Sequence, residues 1–174
     1  MRRTLVLMCL LLLPLFARAI PPLPEAVADK LPGLSPAGEG RLRWFGLHIY
    51  DAALWTSSDL PNGESEFALD IHYVRNIPSE RLVATSPKEM RRLGFGNDAA
   101  LHAWSREMAR VFTDIRKGDR LTGVNIPGKG VEFYHNDRFA GLISDTLFAR
   151  AFFSIWLDPR TREPGLRESL IWQN

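Results

Sequence analysis

Three residues that can take part in proton transfer, His48, Tyr50 and Asp51, lie close together in the segment RWFGLHIYDAALW. A histidine next to a carboxylate suits general acid–base catalysis, and a histidine with further ligands suits a metal ion. In a β-strand, however, His48 and Tyr50 point to one face while Asp51 points to the other. We therefore expect that the three side chains do not act together. We also expect the sheet face at this point to be partly open to water.

The remaining polar residues form no pattern typical of an enzyme or a metal site. A metal at His48 would need ligands from His72 or His135, and the chain lacks a spacing signature such as HExxH. The GxSxG motif of many serine hydrolases is absent, and PGKG predicts a hairpin turn rather than a phosphate loop. We therefore expect neither a metal site nor a cofactor.

Arg43, the first residue of the same segment, is the more unusual one. By strand alternation it shares a face with Phe45, Leu47 and Ile49, which we expect to be the apolar side of the sheet. A guanidinium on a core-facing row needs an anionic partner, because an unpaired buried charge is costly. That partner is either a carboxylate of the chain or the acid group of a ligand. Alternatively, the strand begins after Arg43 and leaves it in water.

Large apolar residues at helical spacing offer the other half of a ligand site. They lie on two segments that should form helices over the sheet, where they either fill the core or line a pocket between the layers. They are Trp104, Met108, Phe148, Phe152 and Trp156.

The N-terminus predicts export. Arg2 and Arg3 precede an apolar run at residues 5–16, and the small-residue motif ARA follows at residues 17–19, which is typical of a cleaved signal peptide. The run is shorter than the roughly 20 residues that span a membrane, so we expect no integral span after cleavage. Cys9, the sole cysteine, would leave with the peptide. The sequence therefore predicts a periplasmic protein without disulfides.

Cleavage after residue 19 would also change the charge. Loss of Arg2, Arg3 and Arg18 from the 22 basic residues leaves 19 against 20 acidic residues, a net charge of −1. A nucleic-acid-binding protein needs a basic surface, so we expect no nucleic acid partner. Proline and glycine throughout residues 20–40 predict an irregular leader with one helical turn at Glu25–Lys30. Residues 41–174 are long enough for one core and are expected to form a single domain.

The elements that must position these residues follow from periodicity and turn chemistry. The expected strands alternate apolar and polar residues, and the expected helices carry an apolar stripe. The fold class predicted is α+β, an antiparallel β-sheet covered on one face by a helix layer. The elements expected are a strand or strand pair at 41–56, a strand at 67–75, a helix starting at the capping box 86–89, a helix from Asn97 or Asp98 toward Gly118, three strands within 120–143, a helix capped by Ser144, and a last helix at 165–172.

The ordered set of motifs resembles the exported bacterial branch of the chalcone isomerase-like family. The segments are GEGRLRWFGLHIYDAALW, ALDIHYVRNI, KGDRL, VEFYHND and FARAFFSIWLDPRTREPGLRESLI, and they span residues 38–171. The resemblance implies an open-faced β-sandwich, which is a sheet covered on one side by helices, with an apolar cleft between the two layers.

The resemblance also implies site residues. Plant enzymes of this superfamily cyclise chalcones and hold the ligand with an arginine, threonines, a tyrosine and an asparagine, whereas related plant proteins bind fatty acids and keep the arginine. The arginine is carried over to Arg43, with Arg41 as the alternative, and the strand threonine to Phe45. The helix hydroxyl is carried over to Ser154, beside Ile155. Residues 77–86, which should hold the tyrosine and asparagine, contain neither.

This pattern favours binding over catalysis. A cyclase needs oriented donors where the ketone oxygen gains charge, whereas an arginine in an apolar cleft suits a carboxylate. We expect a periplasmic, non-catalytic binding protein for a small apolar or amphipathic acid, fatty-acid-like in character. The alternatives are an intramolecular lyase with Arg43 and Ser154 as donors, and a structural protein whose own side chains fill the cleft. The expected ligand-binding residues are Arg43, Phe45, Leu47, Tyr73, Trp104, Met108, Phe152, Ser154 and Ile155.

Overall fold

The computed structural model describes residues 21–57, 61 and 63–171, so the expected signal peptide lies outside the described residues. In this part of the chain, six antiparallel strands form one sheet in chain order, and five helices accompany it. None of the described helices is long and apolar enough to span a bilayer. The elements are α1 (Glu25–Lys30), β1 (Ser35–Trp44), β2 (Leu47–Thr56), β3 (Phe67–Tyr73), α2 (Ser79–Arg92), α3 (Asp98–Val111), β4 (Arg120–Ile126), β5 (Gly130–His135), β6 (Arg138–Ile143), α4 (Thr146–Leu157) and α5 (Pro164–Ile171).

The sheet carries helices mainly on one face, as expected for the α+β class. The alternating residues Phe67, Leu69 and Ile71 of β3 point to the helix layer and belong to the main core. From the helices, Trp104 of α3 and Phe148 of α4 pack into the same core. The predicted antiparallel sheet with its helix layer is confirmed. Apart from this layer, α1 covers part of the opposite face, where Val27 packs in a smaller cluster.

The first strand begins earlier than the sequence suggested. Residues 20–40 were expected to be an irregular leader with one helical turn at Glu25–Lys30. The structure has that turn as α1, but it also has the start of β1 at Ser35. Prolines and glycines lie at positions that an edge strand tolerates, because only one side of β1 is paired. The expected start of this strand at residue 41 is therefore six residues too late.

Two helix starts also differ from the expected ones. The helix α2 begins at Ser79 and continues through Pro87, so the capping box at 86–89 does not start it. The Ser86 hydroxyl donates to the Leu82 carbonyl at 2.9 Å, a bond back to the preceding turn instead of a cap. At α4 the cap is Asp145 rather than Ser144, since its carboxylate accepts from the first backbone N–H groups of the helix.

Helix α5 lies directly on β1, and the contact depends on Gly38. A Cβ added at Gly38 would lie 2.3 Å from the carbonyl oxygen of Ser169 and 2.7 Å from that of Leu170. Replacing Gly38 with alanine should therefore lower the free energy of unfolding by about 2 kcal/mol, because backbone must move to relieve the clash. Urea unfolding measures the difference. Gly33→Ala is the matched control, since nothing lies within 4 Å of the Cβ it would add. Equal losses in both variants would contradict the close approach.

Candidate functional site

Arg43 lies at the exposed end of the β1–β2 hairpin, not in the core. The hairpin turns at Phe45 and Gly46, with φ angles of 48° and 77°, and a bulge shifts the register between Leu42 and Arg43. Arg43 pairs across the strands with His48, and its guanidinium reaches only the Gly46 carbonyl at 3.5 Å. The expected core-facing row of Arg43, Phe45, Leu47 and Ile49 is wrong for its first three members, which are exposed because the turn and the bulge interrupt strand alternation. Ile49 packs against the main core.

The bulge also brings His48 and Asp51 together, against our expectation. The His48 Nε2 lies 3.1 Å from Asp51 Oδ1, and the Arg41 guanidinium donates to the same oxygen at 2.8 Å. Tyr50 points to the opposite face, where its hydroxyl accepts from Trp156 Nε1 at 2.8 Å. This polar cluster lies on the outer side of the sheet and joins the two strands of the hairpin.

Four of the expected ligand-binding residues fill the space between the layers. Met108 is fully buried, and Trp104, Phe152 and Tyr73 are nearly so. The Tyr73 ring meets Tyr50 edge-on with centroids 5.6 Å apart, and burial raises the pKa of both phenols. Between these elements the cleft that the resemblance implies is thus occupied by side chains of the chain itself.

An open crevice of about 180 Å³ instead follows one side of α4. Its apolar lining residues are the nearly fully buried Phe67 and Phe153 and the partly exposed Phe95 and Leu157. It adjoins a larger open groove of about 550 Å³. Both lie at the sheet edge where β3 begins and β4 ends. The residues common to the crevice and the groove are Gly63, Asn125, Ala149 and Arg150.

Arg150 gives this crevice an unpaired positive charge. It is exposed, and among residues 21–57, 61 and 63–171 no carboxylate lies within ion-pair distance of it. Asp158, the carboxylate of the crevice, is already engaged by Arg160 at 2.8 Å, and hydrogen bonds from Arg160 hold the pKa of Asp158 below its usual value. The crevice therefore presents a guanidinium that forms no ion pair with the part of the chain that the structure describes.

Ser154 is the one expected site residue that lines the crevice. Its hydroxyl donates to the Ala151 carbonyl at 2.6 Å, so the hydroxyl oxygen remains able to accept a hydrogen bond. Ile155 packs against the main core instead, and its carbonyl accepts from Thr161. Sequence reasoning missed Arg150, although its position four residues before Ser154 places both side chains on one face of α4.

Comparisons with known proteins agree with this architecture. The structure resembles the crystal structure of a fatty-acid binding protein from Arabidopsis thaliana, with a TM-score of 0.62 and 12% sequence identity. The similarity covers 80% of this chain and 87% of the plant protein. A comparison with curated proteins finds no match. Residues 34–171 match the family model described as chalcone isomerase-like, and the chain therefore belongs to the chalcone isomerase-like family.

Proposed function

We propose that this protein binds a small amphipathic carboxylate of fatty-acid type without transforming it. The observation that carries the proposal is Arg150, an exposed guanidinium with no ion-pair partner among the described residues, in a crevice also lined by Phe95 and Leu157. A guanidinium offers two parallel N–H donors to a carboxylate, and the partly exposed side chains of Phe95 and Leu157 offer apolar surface to an alkyl chain. The similar plant structure is that of a fatty-acid binding protein, which supports the same ligand class.

The dimensions of the site suggest how such a ligand would lie. The crevice of about 180 Å³ is smaller than the sites that enclose drug-sized ligands, whereas the adjoining groove is within their range. Because Arg150 belongs to both, a carboxylate at Arg150 would leave the alkyl chain in the crevice and part of the molecule in the open groove. We expect moderate affinity, since part of the ligand stays in water.

The lyase alternative has less support. It requires Arg43 and Ser154 to act on one substrate, but the crevice at Ser154 is lined by β3, β4, α4 and adjoining loops rather than by the β1–β2 hairpin. The donors that would hold a chalcone are thus not gathered at one place. Incubation with chalcones, followed through the enone absorbance, should show no loss of substrate.

The proposal includes export to the periplasm and membership of the exported bacterial branch of the family. Its support is the basic, apolar and small-residue sequence of residues 1–19. The full chain expressed in a Gram-negative host should appear in the periplasmic fraction, shortened by 19 residues in its intact mass. Recovery of the uncut chain from the cytoplasm would reject this part.

Ligand uptake tests the binding function itself. The exported protein, stripped of lipid, should take up dodecanoate or tetradecanoate in native mass spectrometry, whereas the methyl esters should bind at least about tenfold more weakly. The esters keep the alkyl chain and lose the charge, so they isolate the contribution of the arginine. Uptake of neither acid would refute the proposal, and equal uptake of acid and ester would refute the role of Arg150.

A further inference from the structure

The end of the β1–β2 hairpin exposes a compact apolar cluster that the proposed function does not use. Trp44 is 59% exposed, Phe45 89% and Leu47 52%, and the Trp44 and Phe45 rings lie 5.3 Å apart. Trp44 and Leu47 are cross-strand partners directly before and after the turn, so the three side chains form one tip. We refer to Trp44, Phe45 and Leu47 as the hairpin tip.

The backbone of this tip is unusual for its sequence. A turn with positive φ at both central residues favours asparagine followed by glycine, yet here phenylalanine occupies the first position with φ 48°. A bulky residue in the left-handed region is strained, and strain of this kind is concentrated at functional sites. The turn thus holds an exposed aromatic ring where a polar residue would fit better.

The charges along the sheet edge that carries the tip have one predominant sign. In an antiparallel sheet of six strands taken in order, the β1–β2 turn, the end of β3, the start of β4 and the β5–β6 turn lie at one edge. Five exposed cations at this edge have no carboxylate within ion-pair distance among the described residues. They are Arg43, Arg75, Arg116, Lys117 and Arg138.

Three carboxylates near the same edge have partners within the chain. Asp114 accepts from Ser79, Asp119 accepts from Asn136 and from a backbone N–H, and Asp137 lies 3.7 Å from Arg120. Hydrogen bonds also fix the edge as one surface, since Arg75 donates to the His48 carbonyl at 2.8 Å. The edge therefore combines a protruding apolar tip with an excess of unpaired positive charge.

We propose that this edge docks on an anionic phospholipid bilayer, with the hairpin tip inserted among the headgroups. Tryptophan and phenylalanine favour the interface of a bilayer, and nearby arginines are attracted by its negative surface. The tip offers on the order of 400 Å² of apolar surface, about half of what each partner contributes to a stable protein–protein interface. A lipid surface therefore suits the tip better than a protein partner, and this inference is independent of the proposed ligand site.

Vesicle sedimentation tests the docking. The exported protein should bind vesicles of phosphatidylcholine mixed with phosphatidylglycerol, and binding should weaken with added salt because the attraction is screened. Vesicles of phosphatidylcholine alone should bind it several-fold more weakly. Equal binding to both vesicles, or no binding to either, would overturn the proposal.

The variant Phe45→Asn distinguishes a loss of vesicle binding from a loss of stability. Asparagine before Gly46 suits this turn, so the variant should keep or raise the melting temperature while its vesicle binding falls at least about tenfold. Leu147→Asn is the matched control, because Leu147 is a similarly exposed apolar residue at the opposite edge of the sheet and its loss should leave binding unchanged. Undiminished binding of Phe45→Asn would contradict the insertion of the tip.

The fluorescence of Trp44 reports insertion directly. Vesicles should shift the emission of the wild-type protein to shorter wavelength, and Trp44→Phe should bind vesicles but lose this shift. A second copy of the chain is the rival occupant of the tip. A dimer of the wild-type protein that Phe45→Asn abolishes, together with unshifted Trp44 emission on vesicles, would assign the tip to self-association and overturn the proposal.

Discussion

Replacing Asp70 with asparagine should lower the free energy of unfolding by about 3 kcal/mol, because a buried charge pair loses one partner. Asp70 is fully buried on the outer face of β3, where its carboxylate accepts from Thr122 Oγ1 at 2.7 Å and His72 Nε2 at 2.8 Å. The Arg120 guanidinium donates to both carboxylate oxygens, at 2.7 and 2.6 Å. Urea unfolding of the variant and the wild type measures the loss.

Two further variants give this prediction its controls. Asp70→Asn combined with Arg120→Met should recover part of the lost stability, because removing both charges leaves none buried without a partner. Asp98→Asn breaks the exposed pair with Arg91 and should leave the free energy of unfolding nearly unchanged. Should Asp70→Asn be as stable as the wild type, the buried network would not hold β3 and β4 together as described.

The same carboxylate should make the protein sensitive to acid. Burial by itself raises the pKa of Asp70, but hydrogen bonds from His72 and Arg120 and their charges outweigh it, so the pKa lies below its usual value. A carboxyl group with a lowered pKa in the folded state adds stability that is complete above its unfolded pKa, near 4, and is lost as pH falls through the folded pKa. Urea midpoints taken from neutral pH down to about pH 2 should fall for the wild type and fall less for Asp70→Asn.

The fold could be predicted from the sequence because periodic patterns of apolar residues indicate its strands and helices. Alternation in β3 placed Phe67, Leu69 and Ile71 on the core face, and the helical stripe of α3 placed Leu101, Trp104 and Met108 there, as the structure has them. Such patterns reflect burial over many residues, so no single exception changes the outcome. The boundaries depended on individual residues instead, and the start of α2 was wrong for this reason.

The conformation of the hairpin turn could not be predicted from its residue types. Phe45-Gly46 is not a typical turn pair, and a bulge next to Leu42 has no reliable sequence signal. Without the turn and the bulge, strand alternation predicted the wrong face for Arg43 and opposite faces for His48 and Asp51. One local error therefore led to two wrong expectations, Arg43 on the core face and His48 apart from Asp51.

The candidate site was only partly predictable, because a crevice depends on how the helix layer packs on the sheet, and residue spacing does not determine that packing. Trp104, Met108 and Phe152 have the same apolar spacing whether they fill a core or line a pocket, and here they fill the core. Ser154 was expected on the resemblance and does line the crevice. Arg150 was overlooked because an exposed arginine on a helix is ordinary until its surroundings are known.

A large loss of ligand affinity is expected when Arg150 is replaced. Changing it to methionine should weaken the binding of dodecanoate by about 2 kcal/mol, roughly thirtyfold, because a charged hydrogen-bond partner of the carboxylate is lost. Methionine keeps the apolar stem, and the described residues give Arg150 no ion pair to break, so the melting temperature should stay the same. Arg150→Lys should lose less affinity, since lysine keeps the charge but not the paired donors. Titration calorimetry measures all three.

Three comparisons decide whether Arg150 acts on the ligand's carboxylate. Arg106→Met removes an exposed arginine from α3 and should leave affinity unchanged, which controls for net charge. Binding of the dodecanoate methyl ester should be equally weak in the wild type and in Arg150→Met, since the ester has no charge to lose. Arg43→Met tests the arginine that the family resemblance suggested. If Arg43→Met weakens acid binding and Arg150→Met does not, the carboxylate is held at the hairpin and the crevice along α4 is not the site. We expect the opposite, because Arg150 lines a crevice that also has apolar residues, whereas Arg43 lies at the exposed end of the hairpin.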